Sequence, residues 1–203
     1  NPQTVNNEVL KTIGRKHTAQ QFFDAFELAR KCGFDNINTD LIAGLPTDTT
    51  ESFKNSLDSI VRLNAECITV HTLCMKRASR LTTEGVTLDL QQARDAREML
   101  AYTQNVLGQN EYIPYYMYRQ SRMVGNLENV GWSKRGFESL YNVYVMDETH
   151  TILACGSGGV TKLKRNNPDY LERIFNFKYP YEYIDRFDEL IQRKSGIMQF
   201  YGQ

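Results

Sequence analysis

Apolar positions along this chain recur at two different spacings, and the alternation between them sets the expected architecture. Phe22, Ala25, Phe26 and Ala29 fall at helical intervals behind Thr18-Ala-Gln-Gln21, a capping-box signature, and Gly33 offers a C-terminal stop. This predicts an amphipathic helix from Thr18 to Cys32. The run from Ile37 to Ala43 is short and apolar except for Asn38, Thr39 and one carboxylate, Asp40, and it ends at the corner Gly44-Leu45-Pro46. Such a run fits a strand that ends at a rim where loops gather ligands. Asp48, three residues ahead of Glu51, introduces a second capped helix carrying Phe53, Leu57, Ile60 and Val61. Cys67 to Leu73 is rich in β-branched residues and reads as a second strand. Helix, strand, helix and strand with short links predict βαβ crossovers and a parallel sheet.

The later chain changes character. After a polar loop near Arg77 to Gly85, Asp89 begins a long helix with Ala93, Ala96, Leu100 and Leu107 on one face, ending at Gly108. Tyr112 to Tyr118 is a strand candidate whose Pro114 favours an edge or a bulge. Tyr141 to Met146 and Thr151 to Cys155, joined by Asp147-Glu-Thr-His150, predict a hairpin, and 169–175 and 183–194 predict two closing helices. Two parts are expected, 1–110 and 111–203.

Composition narrows the classes of function. The 203 residues carry 24 Lys plus Arg against 24 Asp plus Glu, with no basic tract long enough to follow a phosphate backbone, so nucleic acid is not an expected partner. No apolar run approaches membrane-spanning length and no signal-peptide pattern occurs, so no membrane partner and a cytoplasmic location are expected. Cys32, Cys67, Cys74 and Cys155 form no CxxC or Cys/His zinc spacing. Asn1-Pro2-Gln3 lacks a Met and runs into Val5 to Leu10, which reads as a helix already under way; a piece of a longer protein is expected.

Several residues have both a plain and a chemical reading. Asp40 can cap the following helix, or project from the sheet rim toward a ligand hydroxyl. Gln3 and Arg15, taken singly, read as solvated side chains. Gly156-Ser157-Gly158-Gly159 can expose backbone N–H groups to a ligand, or simply let chain segments cross. The alternating aromatics of Tyr115-Tyr116-Met117-Tyr118 read, by themselves, as core packing in a strand. His71, mid-strand, reads as a satisfied core histidine or as a cavity lining. His17 and His150 are too dispersed to join it in a metal site.

The string Gln3-x-x-Asn6 through Val9 to Arg15, with Asp40 before Gly44-Leu45-Pro46 and the later glycine run, resembles the radical S-adenosylmethionine enzymes typified by oxygen-independent coproporphyrinogen III oxidase. The segment Tyr118-Arg119-Gln120 with Met123 to Gly131 is similar to the HemZ-type subgroup of that family. The resemblance implies the C-terminal half of a partial (β/α) barrel with additional C-terminal strands and helices. It implies S-adenosylmethionine contacts from Gln3, Arg15, Asp40, Cys74, Gly156, Gly158 and Gly159, and tetrapyrrole contacts from Arg119, Arg122, Tyr115 and Tyr118. The family's CxxxCxxC motif, whose thiolates hold a four-iron, four-sulfur cluster, is absent here. The implied activity is therefore that of a longer parent, oxidative decarboxylation of coproporphyrinogen III, with this chain alone inactive and prone to self-association at an unpaired strand edge. Two other classes stay open: a haem-handling protein on the same fold, and a non-catalytic interaction module.

Overall fold

Residues 38–43 alternate in burial, with Thr39, Leu41 and Ala43 inside, and this periodicity of two makes them the first strand of a half-covered sheet. The computed structural model describes residues 1–74, 90–119, 125, 127–165 and 170–202. Its chain divides into two units, Asn1–Ser139 and Leu140–Gln203.

In the first unit, α1 (Asn7–Thr12) and α2 (Ala19–Lys31) precede β1 (Asn38–Ala43), followed by α3 (Thr50–Arg62), β2 (Cys67–Thr72), α4 (Leu90–Gln109), β3 (Ile113–Tyr118) and β4 (Asn129–Ser133). The α2 capping box forms as its sequence indicates, with Thr18 and Gln21 bonded reciprocally. The α3 cap is Thr49, which accepts from Ser52 N–H, while Asp48 turns back to accept from Thr49 N–H. That places the cap one residue later than expected. Strand order is β1-β2-β4-β3, with β1 and β2 parallel and the other pairings antiparallel. The β1-α3-β2 crossover is therefore as expected, but β3 and β4 join the same sheet. The unit boundary accordingly falls after Ser139 rather than near residue 110.

Leu41 and Ala43 of β1, Ile68 and Val70 of β2 and Trp132 of β4 meet Phe26 of α2, Phe53, Leu57 and Ile60 of α3, and Met99 and Leu107 of α4 in one core. Helices thus cover one face of the sheet. The start of β1 is fixed by Glu66, which accepts from Ile37 N–H at 3.0 Å and pairs with Arg30 of α2 at 2.8 Å. A second cluster, Val9, Leu45, Leu73 and Ala96, packs Leu45 of the Gly-Leu-Pro corner against α1 and α4.

The second unit departs from expectation. Residues 141–146 lie in helix α5 (Leu140–Asp147), and 171–175 form strand β6 (Leu171–Phe175), paired antiparallel with β5 (Val160–Lys164). Ile152, expected to pair back onto 141–146, bridges Lys162 instead. The expected partner of Tyr141 to Met146 is thus engaged with β5, which also pairs with β6. Lys162 and Arg173, opposite each other in the hairpin, share Glu148 at 2.7 and 3.1 Å. Helices α6 (Pro180–Asp185), α7 (Phe187–Lys194) and α8 (Gly196–Tyr201) follow. Among the described residues no helix is long and apolar enough to cross a membrane.

Candidate active site

Because side chains alternate across a strand, the residues between the core positions define the opposite face. Asn38 and Asp40 of β1 and Thr69 and His71 of β2 share it, and the register sets Asp40 beside Thr69. Gly131 of β4 lies opposite Thr69, and Tyr116 of β3 lies opposite Gly131. This face is polar where the other is apolar.

Two lines of polar contacts converge on Asp40. Asn38 Nδ2 donates to Asp40 at 2.7 Å, Thr69 Oγ1 donates to Asn38 Oδ1 at 3.1 Å, and the Tyr116 hydroxyl stands 3.3 Å from Thr69 Oγ1. On the other side His71 Nε2 lies 3.8 Å from Asp40 Oδ2, and His71 Nδ1 is 3.3 Å from the Tyr118 hydroxyl. With the proton on Nε2, Tyr118 donates to Nδ1 and the line is directed toward the carboxylate. Asn1 Nδ2 adds a further donor. Burial pushes the Asp40 carboxyl up, but His71, Asn38 and Thr69 outweigh it and hold the group below the usual carboxylate range. Burial pushes the Tyr116 phenol up to about 12, against the Thr69 hydrogen bond and with Tyr115, Asp40 and Tyr118 adding to the rise. Tyr118 is raised for the same first reason. The face therefore presents an ionised carboxylate beside protonated phenols at neutral pH.

Gln3 reaches this site through its backbone. Its N–H donates to Asp40 O and its carbonyl accepts from Ile42 N–H, both at 2.9 Å, adding one parallel rung to the outer edge of β1. Gln3 adopts φ 65°, a left-handed conformation uncommon for a residue with a side chain. Arg15, just beyond α1, is exposed, and its N–H closes the helix end on Leu10 O at 2.9 Å. The structure thus joins Gln3 to Asp40 and leaves the Arg15 side chain without an ion pair among the described residues. Cys74, two residues beyond β2, is half-buried.

The remaining sequence candidates separate. Tyr115 is the extra residue of a bulge between Pro114 and Tyr116, and its ring meets Tyr116 edge-on at 4.7 Å. Tyr118 lies on the polar face. Arg119, one position further, goes to the opposite side, pairs with Glu128 at 2.7 Å and borders a cavity of about 400 Å³ with Val70, Leu100, Met117 and Trp132. Arg119 and Tyr118 are therefore not brought together, as strand alternation requires. Arg122 lies outside the described residues, as do Lys76, Arg77 and Arg80. Gly156, Gly158 and Gly159 belong to the second unit, where their N–H groups donate to the Tyr183 hydroxyl, Phe177 O and Gly156 O. A Cβ at Gly159 would meet Cys155 O at 3.0 Å. Chain segments approach closely at Gly159, whereas Gly156 and Gly158 lie at positive φ, and those three N–H groups are engaged within the protein.

Thr69, Tyr116, Asn38 and Gly131 were absent from the sequence candidates. The available signal was alternation: each polar residue stands two positions from another on its strand.

Residues 1–60 match the family model of the radical SAM superfamily. Over 199 residues, 98% of this chain and 40% of the relative, the sequence is 38% identical to the oxygen-independent coproporphyrinogen-III oxidase-like protein HemZ of Bacillus subtilis (strain 168). The chain is similar to part of a HemN/HemZ-type radical SAM protein. The haem chaperone HemW of Lactococcus lactis is 32% identical over 174 residues, 81% of this chain and 41% of that protein. The chain thus spans 40% and 41% of the length of these curated relatives. The solved structure of coproporphyrinogen III oxidase (HemN) from Escherichia coli superposes with a TM-score of 0.64 at 20% identity, over 92% of this chain and 42% of that one. That likeness establishes the fold, a mixed α/β arrangement consistent with part of a radical SAM barrel.

The family implies S-adenosylmethionine and a four-iron, four-sulfur cluster. The polar face suits the first: an ionised Asp40 accepts hydrogen bonds from hydroxyl or amino groups, and Gln3 stands beside it. It does not suit the second. Among the described residues no three His, Cys, Asp or Glu side chains group for a metal. Cys67 is buried at the start of β2, where burial pushes its thiol up and its Sγ contacts Phe137 O at 3.1 Å. A protonated, engaged thiol is the reverse of a cluster ligand.

Proposed function

We propose that this chain is part of a radical S-adenosylmethionine enzyme that decarboxylates coproporphyrinogen III oxidatively to protoporphyrinogen IX in haem biosynthesis. The observation that carries the reading is the polar face centred on Asp40, one backbone rung from Gln3, in a chain similar to HemZ along nearly its whole length. The cofactor and its cluster supply the one-electron chemistry that starts removal of hydrogen from a propionate arm. Asp40 accepts from cofactor hydroxyl or amino groups, and the Gln3 carboxamide adds a donor and an acceptor to the set implied by the resemblance. Arg15 provides a planar fork for a carboxylate at the end of α1. Cys74, two residues beyond β2, belongs to the cofactor set implied by the resemblance. Tyr115 and Tyr118 offer ring surface to the tetrapyrrole, with Arg119 and Arg122 for its carboxylates; Arg119 must exchange Glu128 for such an anion. The cluster thiolates belong to sequence outside this chain, so the chain alone is inactive.

Anaerobic turnover by the whole protein tests this reading. Coproporphyrinogen III should be consumed and protoporphyrinogen IX formed. Asp40→Ala, Gln3→Ala and Arg15→Ala should each weaken S-adenosylmethionine binding roughly ten-fold, the worth of a charge-assisted hydrogen bond. Unchanged affinity in all three would return these residues to structural roles. The similarity to HemW favours a second reading, haem delivery without decarboxylation. Stoichiometric haem binding with no product would select it.

A further inference from the structure

Gly131 is the only residue type that lets Tyr116 lie where it does. A Cβ built on Gly131 would fall 1.9 Å from Tyr116 Cε1 and 2.5 Å from both Cδ1 and Cζ. A point 1.9 Å from Cε1 in the ring plane would lie about 2.9 Å from both neighbouring ring atoms, so the shorter 2.5 Å places the added Cβ above the ring face rather than at its edge. A Cα–Cβ bond of about 1.5 Å added to that 1.9 Å gap only just reaches van der Waals contact between Cα and ring, so the three atoms are close to collinear. Side chains rise from a sheet roughly along its normal, so the Tyr116 ring lies flat on β4. It crosses β4 completely, since its hydroxyl reaches Thr69 on β2, 3.3 Å away. The Tyr118 ring is parallel to it within 10° at a centroid separation of 6.4 Å, and its hydroxyl reaches His71, also on β2. Two residues apart on one strand and both bent across β4, these rings lie side by side rather than one above the other. Tyr115 meets Tyr116 at 79° with ring centroids 4.7 Å apart, and Asp40 and His71 border the far side. Both ring residues are half-buried.

We propose that Tyr116 and Tyr118 form a flat two-ring floor for one face of a planar conjugated tetrapyrrole, and that Gly131 is the specificity-determining residue that keeps the floor flat. The proposal rests on the reading that the ligand is a tetrapyrrole and adds to it the subsite, the conjugated form and the residue responsible. Two coplanar rings offer continuous π surface to a planar macrocycle. A porphyrinogen, bent at its saturated bridges, meets one ring at a time.

The test titrates the whole protein with coproporphyrin III and, under anaerobic conditions, with coproporphyrinogen III, following Trp132 quenching. Wild type should bind the planar porphyrin more tightly. Gly131→Ala, which lifts Tyr116, and Tyr116→Leu, which removes the ring without crowding β4, should each weaken porphyrin binding about ten-fold and the porphyrinogen less. Circular dichroism establishes that each variant is folded, and Tyr116→Leu carries the test where Gly131→Ala is not. Tight wild-type binding unchanged in both folded variants, or in Tyr116→Leu alone when Gly131→Ala does not fold, overturns the floor and leaves the tetrapyrrole reading standing. Equal losses for both ligands overturn the preference for the planar form. No binding of either tetrapyrrole by wild type overturns the tetrapyrrole reading and the floor with it.

Discussion

Removing the Arg30 guanidinium should destabilise the first unit by far more than a surface ion pair would. Glu66 is 8% exposed overall, Arg30 Nη2 stands 2.8 Å from both its carboxylate oxygens, and Ile37 N–H donates to it at 3.0 Å. Charge centres about 4 Å apart at an effective dielectric near 20 attract by roughly 4 kcal/mol. Arg30 is 29% exposed at its side chain, so water recovers part of that, and desolvation of Glu66 opposes more. Arg30→Met, which keeps an apolar stem near Phe26, should therefore cost about 2–3 kcal/mol. Glu66→Gln keeps an acceptor for Ile37 N–H and should cost about 1–2 kcal/mol. Urea unfolding followed by Trp132 fluorescence reads the first unit alone, because Trp132 is the sole tryptophan and lies in β4. The double-mutant cycle should give a coupling of about 1.5 kcal/mol. A coupling below about 0.5 kcal/mol would place the pair among exposed ion pairs and refute its role in setting the start of β1.

Anaerobic reconstitution of this chain with iron and sulfide should yield no stoichiometric four-iron cluster, since its four cysteines are dispersed; iron analysis and visible absorption check this. Isolated, the chain should self-associate in a concentration-dependent way, because among the described residues β1 is an edge strand covered by the Gln3 rung alone, and Leu28 and Phe34 are 60% and 63% exposed. Light scattering coupled to size exclusion would refute it by showing a clean monomer at all concentrations. Tyr112 and Tyr116 should stay protonated through pH 10–11 in the folded protein, their phenols being pushed up to about 12 chiefly by burial. Stability present below the unfolded value near 10 should thus be lost as pH rises toward 12, with a late phase in the phenolate absorbance that vanishes in urea. Asp40 and Asp48 should titrate in opposite directions. Burial, only partly offset by Ser52 and Thr49, raises Asp48, whereas His71, Asn38 and Thr69 overcome burial at Asp40. Acidification should protonate Asp48 first, strengthening the fold, and Asp40 last, removing its contribution below about 3.9; carboxyl NMR shifts in the reverse order would refute the electrostatic account of the site.

The first unit was legible because its elements carry their own signals. Thr18 and Gln21 mark a helix start, Phe53, Leu57 and Ile60 share a helix face, and Cys67 to Leu73 is β-branched, so local propensity and tertiary burial agree. The second unit was misread where they disagree. Tyr141 to Met146 is rich in aromatic and β-branched residues as a strand would be, yet its would-be partner pairs with β5, and Leu171 to Phe175 is a strand because β5 lies beside it. Pairing partners distant in sequence cannot be read from a single segment's periodicity.

The site divides in the same way, at the level of one residue. Asp40 announces itself, as a carboxylate in an apolar strand ahead of Gly44-Leu45-Pro46. What surrounds it depends on register: Thr69 and His71 face Asp40 because β1 and β2 run parallel in one alignment, and Tyr116 and Tyr118 reach β2 only because β4 lies between them. A shift of one residue would exchange Tyr118 for Arg119 and Thr69 for Val70, turning the polar face into the core face. Gly131 is the least conspicuous of these residues, a glycine inside a short strand, where sequence alone suggests only a bulge or a close approach. The close approach is that of the Tyr116 ring. Asp40 thus depends on tyrosines that sit on another strand three positions away in the sheet, and a substitution at Gly131, which touches neither Asp40 nor His71, should break one of the two lines converging on the carboxylate while leaving the other intact.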